Sequence, residues 1–105
     1  MSEGWKPYGS LRMYIAIAKS RLDSCMKATL LGMAAFADKD KYELRASQVK
    51  IASYAGLSVK SVQRCIARAE MLGLVKTQEI GVRQSPIHTI MVSELEKMAY
   101  DFPNP

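Results

Sequence analysis

One side of a predicted helix carries side chains that can form hydrogen bonds with the edges of nucleic-acid bases. Gln63 can pair with adenine through two hydrogen bonds, and Arg64 can do the same with guanine. The small side chains of Ser61 and Ala67 would let the helix approach the bases closely. No acidic residue occurs between positions 58 and 68. The predicted base-reading residues are Ser58, Lys60, Ser61, Gln63, Arg64 and Ala67.

A second predicted set would contact the DNA backbone. Ser47 and Gln48 open the preceding predicted helix, where free backbone amides attract a phosphate. Contacts of this kind set the register of a protein on duplex DNA without reading its sequence. The full predicted set is Ser47, Gln48, Lys50, Arg68 and Lys76.

A basic turn follows these two helices. Residues 81–85 are rich in turn-forming types and lie between two strand-like runs, residues 74–80 and 87–92. The pattern predicts a β-hairpin with Arg83 and Gln84 at its tip. An arginine presented on such a turn can enter a neighbouring minor groove or bind a phosphate.

A helix-turn-helix pattern positions the predicted contacts. Gly56 supplies the permissive backbone that a tight turn between helices needs. Ser47 and Ser58 can cap the two helices, and Gly73 ends the second, which is predicted over residues 58–72. The inward positions recur at a helical period. They are Ile51, Ala52, Ala55, Leu57, Val62, Cys65, Ile66, Ala69, Leu72 and Leu74.

Two further helices are predicted before this motif. Residues 11–22 alternate like a strand but also carry a helical stripe, and their length and alanines favour a helix. Asp23 or Ser24 caps a second helix that runs to about residue 37. The first stripe is Leu11, Tyr14, Ile15, Ala18 and Leu22. The core face of the second helix is Met26, Leu30, Met33, Ala34 and Ala37.

The remaining segments are short. The composition of residues 1–9 predicts an irregular arm, and the alternating pattern of residues 42–45 predicts a small edge strand. Ser93 and Glu96 match a capping box for a last helix that reaches about Tyr100. Residues 101–105 contain two prolines and predict a tail that ends the domain.

Charge is concentrated on the motif. The chain of 105 residues has a formal net charge of +5 and a pI near 9.4, and its length fits one domain. Residues 45–83 hold seven basic and two acidic side chains, whereas residues 84–105 hold one basic and three acidic side chains. This asymmetry favours a polyanionic partner for residues 45–83.

No pattern typical of an enzyme or a metal site is visible. The sequence contains no acidic pair, Ser-His-Asp set, Gly-rich phosphate loop or metal-spaced cluster. His88 is the single histidine, and we expect it on the polar side of a strand. For Cys25 and Cys65, we expect buried thiols in a reducing compartment and not a disulfide or a metal site.

Apolar runs are too short to span a bilayer and no leader is present, so we expect a cytoplasmic protein without cofactor, metal or membrane contact.

The motifs resemble those of the winged helix-turn-helix family, and especially the DNA-binding domains of phage and plasmid replication initiators and related phage regulators. In that group Ser-Gln opens the first motif helix, Gly-Leu-Ser forms the turn, Val-Gln-Arg lies within the second helix, and Gly-Leu-hydrophobic enters the wing. These motifs stand here at residues 47–48, 56–58, 62–64 and 73–75. Arg45-Ala46 departs from the pattern, since the group often has an aromatic residue or a proline there.

The resemblance implies a mainly α fold with a small β-hairpin wing. It divides the chain into an N-terminal segment (residues 1–22), a winged helix-turn-helix domain (23–92) and a short C-terminal helix and tail (93–105). It implies sequence-specific binding of double-stranded DNA, with origin recognition in phage or plasmid replication as the favoured role. A homodimer or several copies would occupy repeated sites, and a region beyond Pro105 would recruit replication proteins. A transcriptional regulator of the same fold and a winged-helix protein-interaction adaptor are the alternatives.

Overall fold

Residues 11–99 are described by a computed structural model, and they form five α-helices and a three-stranded antiparallel sheet. The predicted arm at residues 1–9 and the predicted tail at residues 101–105 lie outside the described residues. The mainly helical arrangement with a small sheet is compatible with a winged-helix-like fold. The helices are α1 (Leu11–Lys19), α2 (Ser24–Ala34), α3 (Gln48–Ala55), α4 (Val59–Met71) and α5 (Val92–Lys97). The strands are β1 (Glu43–Leu44), β2 (Val75–Gln78) and β3 (Ile87–Ile90).

The first segment is a helix, as predicted, but it buries a different side. Met13, Ala16 and Ile17 of α1 lie in the core. Leu11 and Ile15, which belong to the predicted stripe, are 74% and 42% exposed. The prediction of this face was wrong because α1 has apolar residues on more than one side, so helical spacing alone does not select the buried one.

The α2 prediction is confirmed in its cap and its buried face. Asp23 is the N-cap, and its Oδ1 accepts a hydrogen bond of 2.9 Å from the backbone N–H of Met26. All five predicted core positions are buried. The helix ends at Ala34, earlier than predicted, and Ala37 enters the core from a turn in which its N–H donates to the Ala34 carbonyl at 3.1 Å.

Gly32 allows α2 and α3 to cross at very short distance. A Cβ atom at this position would lie 2.9 Å from the backbone oxygen of Ile51 and 3.2 Å from the Cβ of Ala55. No side chain fits between the two helices there without moving a backbone. The crossing therefore sets where α3 lies, and α4 packs against both α2 and α3.

The three strands form a sheet in the order β1-β3-β2. The predicted edge strand is confirmed as β1, in which Leu44 pairs with His88 of the central strand. The predicted hairpin is confirmed as β2 and β3, with Val75 opposite Ile90. The sheet contributes buried residues to the same core as the helices, namely Leu44, Val75 and Ile90.

His88 lies on the buried side of the sheet, so the prediction of a polar-side position was wrong. It shares its side of β3 with Ile90, whereas Ile87 and Thr89 are less buried. Its Nδ1 lies 2.9 Å from the hydroxyl of Thr77 on the paired strand. Burial lowers the pKa of the His88 imidazole below its usual value. Because apolar residues occupy both sides of β3, the pattern of this strand did not indicate which side faces the core.

The last helix begins without the predicted capping box. Val92 is the first residue of α5, and the preceding Met91 makes no side-chain capping bond. Glu96 instead accepts two hydrogen bonds from the Arg12 guanidinium, at 2.8 and 2.6 Å, which lowers the pKa of its carboxyl. The helix ends at Lys97, and Tyr100 lies outside the described residues. The ion pair thus joins α5 to α1 at the ends of the described chain.

Replacing Gly32 by alanine tests the helix crossing. We expect Gly32→Ala to lower the free energy of unfolding by about 1–3 kcal/mol, because the added methyl group collides with the α3 backbone. In an open helical position the same change would raise stability by about 0.5–1 kcal/mol. Urea unfolding measures the difference, and an unchanged or higher midpoint would contradict the close crossing.

Candidate nucleic-acid interface

The first motif helix begins at the predicted serine cap. Ser47 has an extended backbone, and its Oγ accepts a hydrogen bond of 3.2 Å from the N–H of Lys50. The Lys50 side chain is exposed, as is that of Val49. The first turn of α3 therefore keeps backbone donors and a basic group at the surface.

The turn between α3 and α4 follows the predicted chemistry. Gly56 has φ +71°, the left-handed conformation that favours glycine, and a Cβ at this position would meet no heavy atom of a more distant residue within 4 Å. Ser58 caps α4, since its Oγ accepts a hydrogen bond of 3.1 Å from the Ser61 N–H. Ala55 and Leu57 were predicted to point into the core but are half-buried.

Helix α4 has the two faces that the sequence predicts, except at its last position. The four predicted inward residues within the helix are buried. Leu72 was predicted to extend this stripe but is 56% exposed. It is the C-cap residue, and the chain reverses at Gly73, where φ is +76°, so that Leu74 enters the core instead.

The predicted base-reading residues lie together on the outer side of α4. Ser61 is half-buried and the others are exposed. Among the described residues, the charged groups of Lys60 and Arg64 form no salt bridge. These two cations are therefore available to an anionic partner. The exposed members are Ser58, Lys60, Gln63, Arg64 and Ala67.

A hydrogen bond joins one predicted base reader to one predicted backbone contact. Nε2 of Gln63 donates to Oε1 of Gln48 at 2.8 Å. Gln48 is the first residue of α3 and Gln63 lies in the second turn of α4, so the bond spans the two motif helices. Sequence reasoning assigned each residue a separate role and did not predict this contact.

Arg68 meets an acidic residue that the sequence analysis did not associate with this surface. Its Nη1 lies 3.3 Å from Oδ2 of Asp23, the N-cap of α2. The backbone hydrogen bond from Met26, followed by Arg68, lowers the pKa of Asp23 below its usual value. Both side chains are more than half exposed, so the pair adds little stability. No local pattern signals the contact, because the two residues are 45 positions apart.

A cleft separates the start of α3 from the end of the loop that joins β2 to β3. Its volume is about 310 Å³. The ends of α3 and α4 that carry the serine caps therefore lie beside the hairpin. The residues that line the cleft include Ser47, Gln48, Val49, Val59, Ser85, Pro86 and His88.

The hairpin turn presents Arg83 at the surface. Arg83 has φ +68°, and it is exposed together with Gln84 and the 89%-exposed Val82. Lys76 is exposed on β2 but pairs with Thr89, away from the turn. Ser47 and Gln48 line the cleft, whereas Arg68 and Lys76 do not. Arg68 lies on α4 beside Asp23 of α2.

Between residues 11 and 99, no three His, Cys, Asp or Glu side chains are grouped closely enough to hold a metal ion. Cys25 and Cys65 are free thiols, half-buried and buried respectively. None of the helices in this range has the length and apolar character needed to cross a membrane.

Comparison with known proteins leaves the family unassigned. No protein-family model matches this chain, and neither the curated proteins nor the solved structures provide a match. The resemblance carried by the short motifs therefore stays a prediction.

Proposed function

We propose that this chain binds double-stranded DNA in a sequence-specific manner, with α4 in the major groove. The observation that carries the proposal is the outer side of α4, where Gln63 and Arg64 are exposed beside Lys60, which has no salt-bridge partner among residues 11–99. With 13 residues, α4 is about 20 Å long, and the major groove of B-DNA admits an α-helix. Gln63 then reads adenine, and Arg64 reads guanine.

The surrounding elements supply contacts that do not depend on sequence. The capped start of α3 offers backbone amides and Lys50 to a phosphate. Arg83 on the hairpin turn reaches a neighbouring phosphate or minor groove. These groups add a salt-dependent attraction to a chain that already carries a net charge of +5.

For the biological role, we propose origin recognition in the replication of a phage or plasmid. The support is the set of four short motifs at residues 47–48, 56–58, 62–64 and 73–75, which resemble those of replication initiators. In this role the target sites occur as clustered repeats. A transcriptional regulator of the same fold would instead bind single sites beside promoters.

Two arginine substitutions separate base reading from backbone attraction. We expect Arg64→Ala to weaken binding to the preferred duplex by about 1–3 kcal/mol and to relax the preference at one base pair. We expect Arg83→Ala to weaken binding to all duplexes equally and to reduce the salt slope by about 1. Fluorescence anisotropy with preferred and scrambled duplexes at several salt concentrations measures both effects.

Lys97→Ala is the matched control for these two substitutions. It also removes one positive charge, but Lys97 lies on α5, paired with Glu94 at 3.2 Å. We expect this variant to keep both the affinity and the base preference of the unmodified chain. If Arg64→Ala and Arg83→Ala behave like this control, the domain does not use these residues on DNA, and the protein-interaction adaptor is favoured.

Asp23→Asn tests whether the Arg68 ion pair restrains DNA binding. Asparagine caps helices as well as aspartate does, so α2 should keep its stability. Loss of the negative charge frees Arg68 for a phosphate, and we expect tighter binding at low salt, by at most about fivefold. Asp40→Asn makes the same charge change beyond the other end of α2 and serves as the control. Equal effects of the two substitutions would show that only net charge matters.

A further inference from the structure

We propose that Gln48 is a positioning residue that fixes the side-chain amide of Gln63 in the orientation that selects adenine. This inference rests on the proposed function, since it concerns how α4 reads a base. It gives Gln48 a part in specificity, in addition to the backbone contact expected from its place at the start of α3.

The hydrogen bond between the two residues is well placed for this role. Nε2 of Gln63 donates to Oε1 of Gln48 at 2.8 Å, across the two motif helices. The turn at residues 56–58 joins the two helices and they pack against each other, so their backbones have a set separation. A free glutamine side chain samples many rotamers and loses that freedom when it binds a base. The bond to Gln48 restricts Gln63 before DNA arrives.

The direction of the bond determines which groups Gln63 has left for a base. A side-chain amide has two N–H donors and one carbonyl oxygen. With one N–H directed to Gln48, Gln63 keeps its second N–H and its Oε1. Adenine presents an acceptor at N7 and a donor at N6, which match these two groups, whereas guanine presents two acceptors. An amide held in this way therefore favours adenine over guanine.

Gln48 keeps a donor for the DNA backbone while it accepts this bond. Its own Nε2 is not needed for the contact with Gln63. The residue also lines the 310 Å³ cleft beside the capped start of α3, where backbone amides point outward. A phosphate bound there would contact Gln48, and Gln48 would contact Gln63. Binding of the backbone and reading of the adenine are thus linked through one side chain.

Two substitutions of Gln48 in the full 105-residue chain separate its acceptor from its donor. Gln48→Glu keeps an oxygen that accepts from Gln63 but places a negative charge near the phosphate. We expect it to weaken binding to every duplex and to keep the adenine preference. Gln48→Lys keeps a donor for the phosphate but has no acceptor. We expect it to retain backbone affinity and to reduce the adenine preference by about 2- to 12-fold, the worth of one hydrogen bond between neutral groups.

The measurement compares the preferred duplex with duplexes changed at a single base pair. The pair that Gln63 reads is the one whose preference disappears in Gln63→Ala. We expect Gln48→Lys to change the preference at that pair alone, and we expect Gln48→Ala combined with Gln63→Ala to lose no more preference than Gln63→Ala. Circular dichroism of each variant verifies that it is folded.

Each other outcome contradicts a defined part of the account. If Gln48→Lys keeps the adenine preference, or if Gln48→Glu abolishes it, Gln48 does not position Gln63 through its oxygen. If Gln48→Lys changes preferences at many base pairs, its effect is a general distortion of the motif. If the unmodified chain has no base preference, the proposed function fails, and this inference fails with it.

Discussion

The close crossing of α2 and α3 at Gly32 is the constraint on which the rest of the arrangement depends. A methyl group at this position would lie 2.9 Å from a backbone oxygen of α3. Because the two helices meet so closely, α3 has little freedom to rotate or slide on α2. Helix α4 then buries its apolar side against both, and its polar side is left facing outward. The exposed groups of Gln63 and Arg64 follow from packing elsewhere in the molecule.

The charged groups at this surface fall into two kinds. Lys60 and Arg64 have no salt-bridge partner among residues 11–99, so their positive charge is available to a polyanion. Arg68 faces Asp23 of α2, which offsets part of the basic character at the far end of α4. The attraction is therefore strongest near the start of the helix, beside the cleft and the hairpin. That end also holds the serine cap and the bond between Gln48 and Gln63.

Local chemistry made much of the motif predictable from the sequence. The roles of Ser47, Ser58 and Gly56 depend only on residues nearby in the chain. Each of the three has the capping or turn role expected of its type. The amphipathic pattern of α4 is strong enough to assign its two faces. In segments with apolar residues on both sides, such as α1 and β3, the pattern did not identify the buried side. Ile15 was predicted to be buried and is exposed, whereas His88 was predicted on the polar side and is buried. Contacts between distant positions, such as Arg68 with Asp23 and Gln48 with Gln63, have no sequence signal, because the fold alone brings the partners together.

The central claim is that α4 reads bases, and a binding selection from random duplexes tests it most directly. The selection uses the 105-residue chain at about 150 mM salt, where backbone attraction is screened to a physiological degree. We expect an enriched motif that contains an adenine and a guanine, with the guanine preference lost in Arg64→Ala. Weak, salt-sensitive binding without any enriched motif would contradict it.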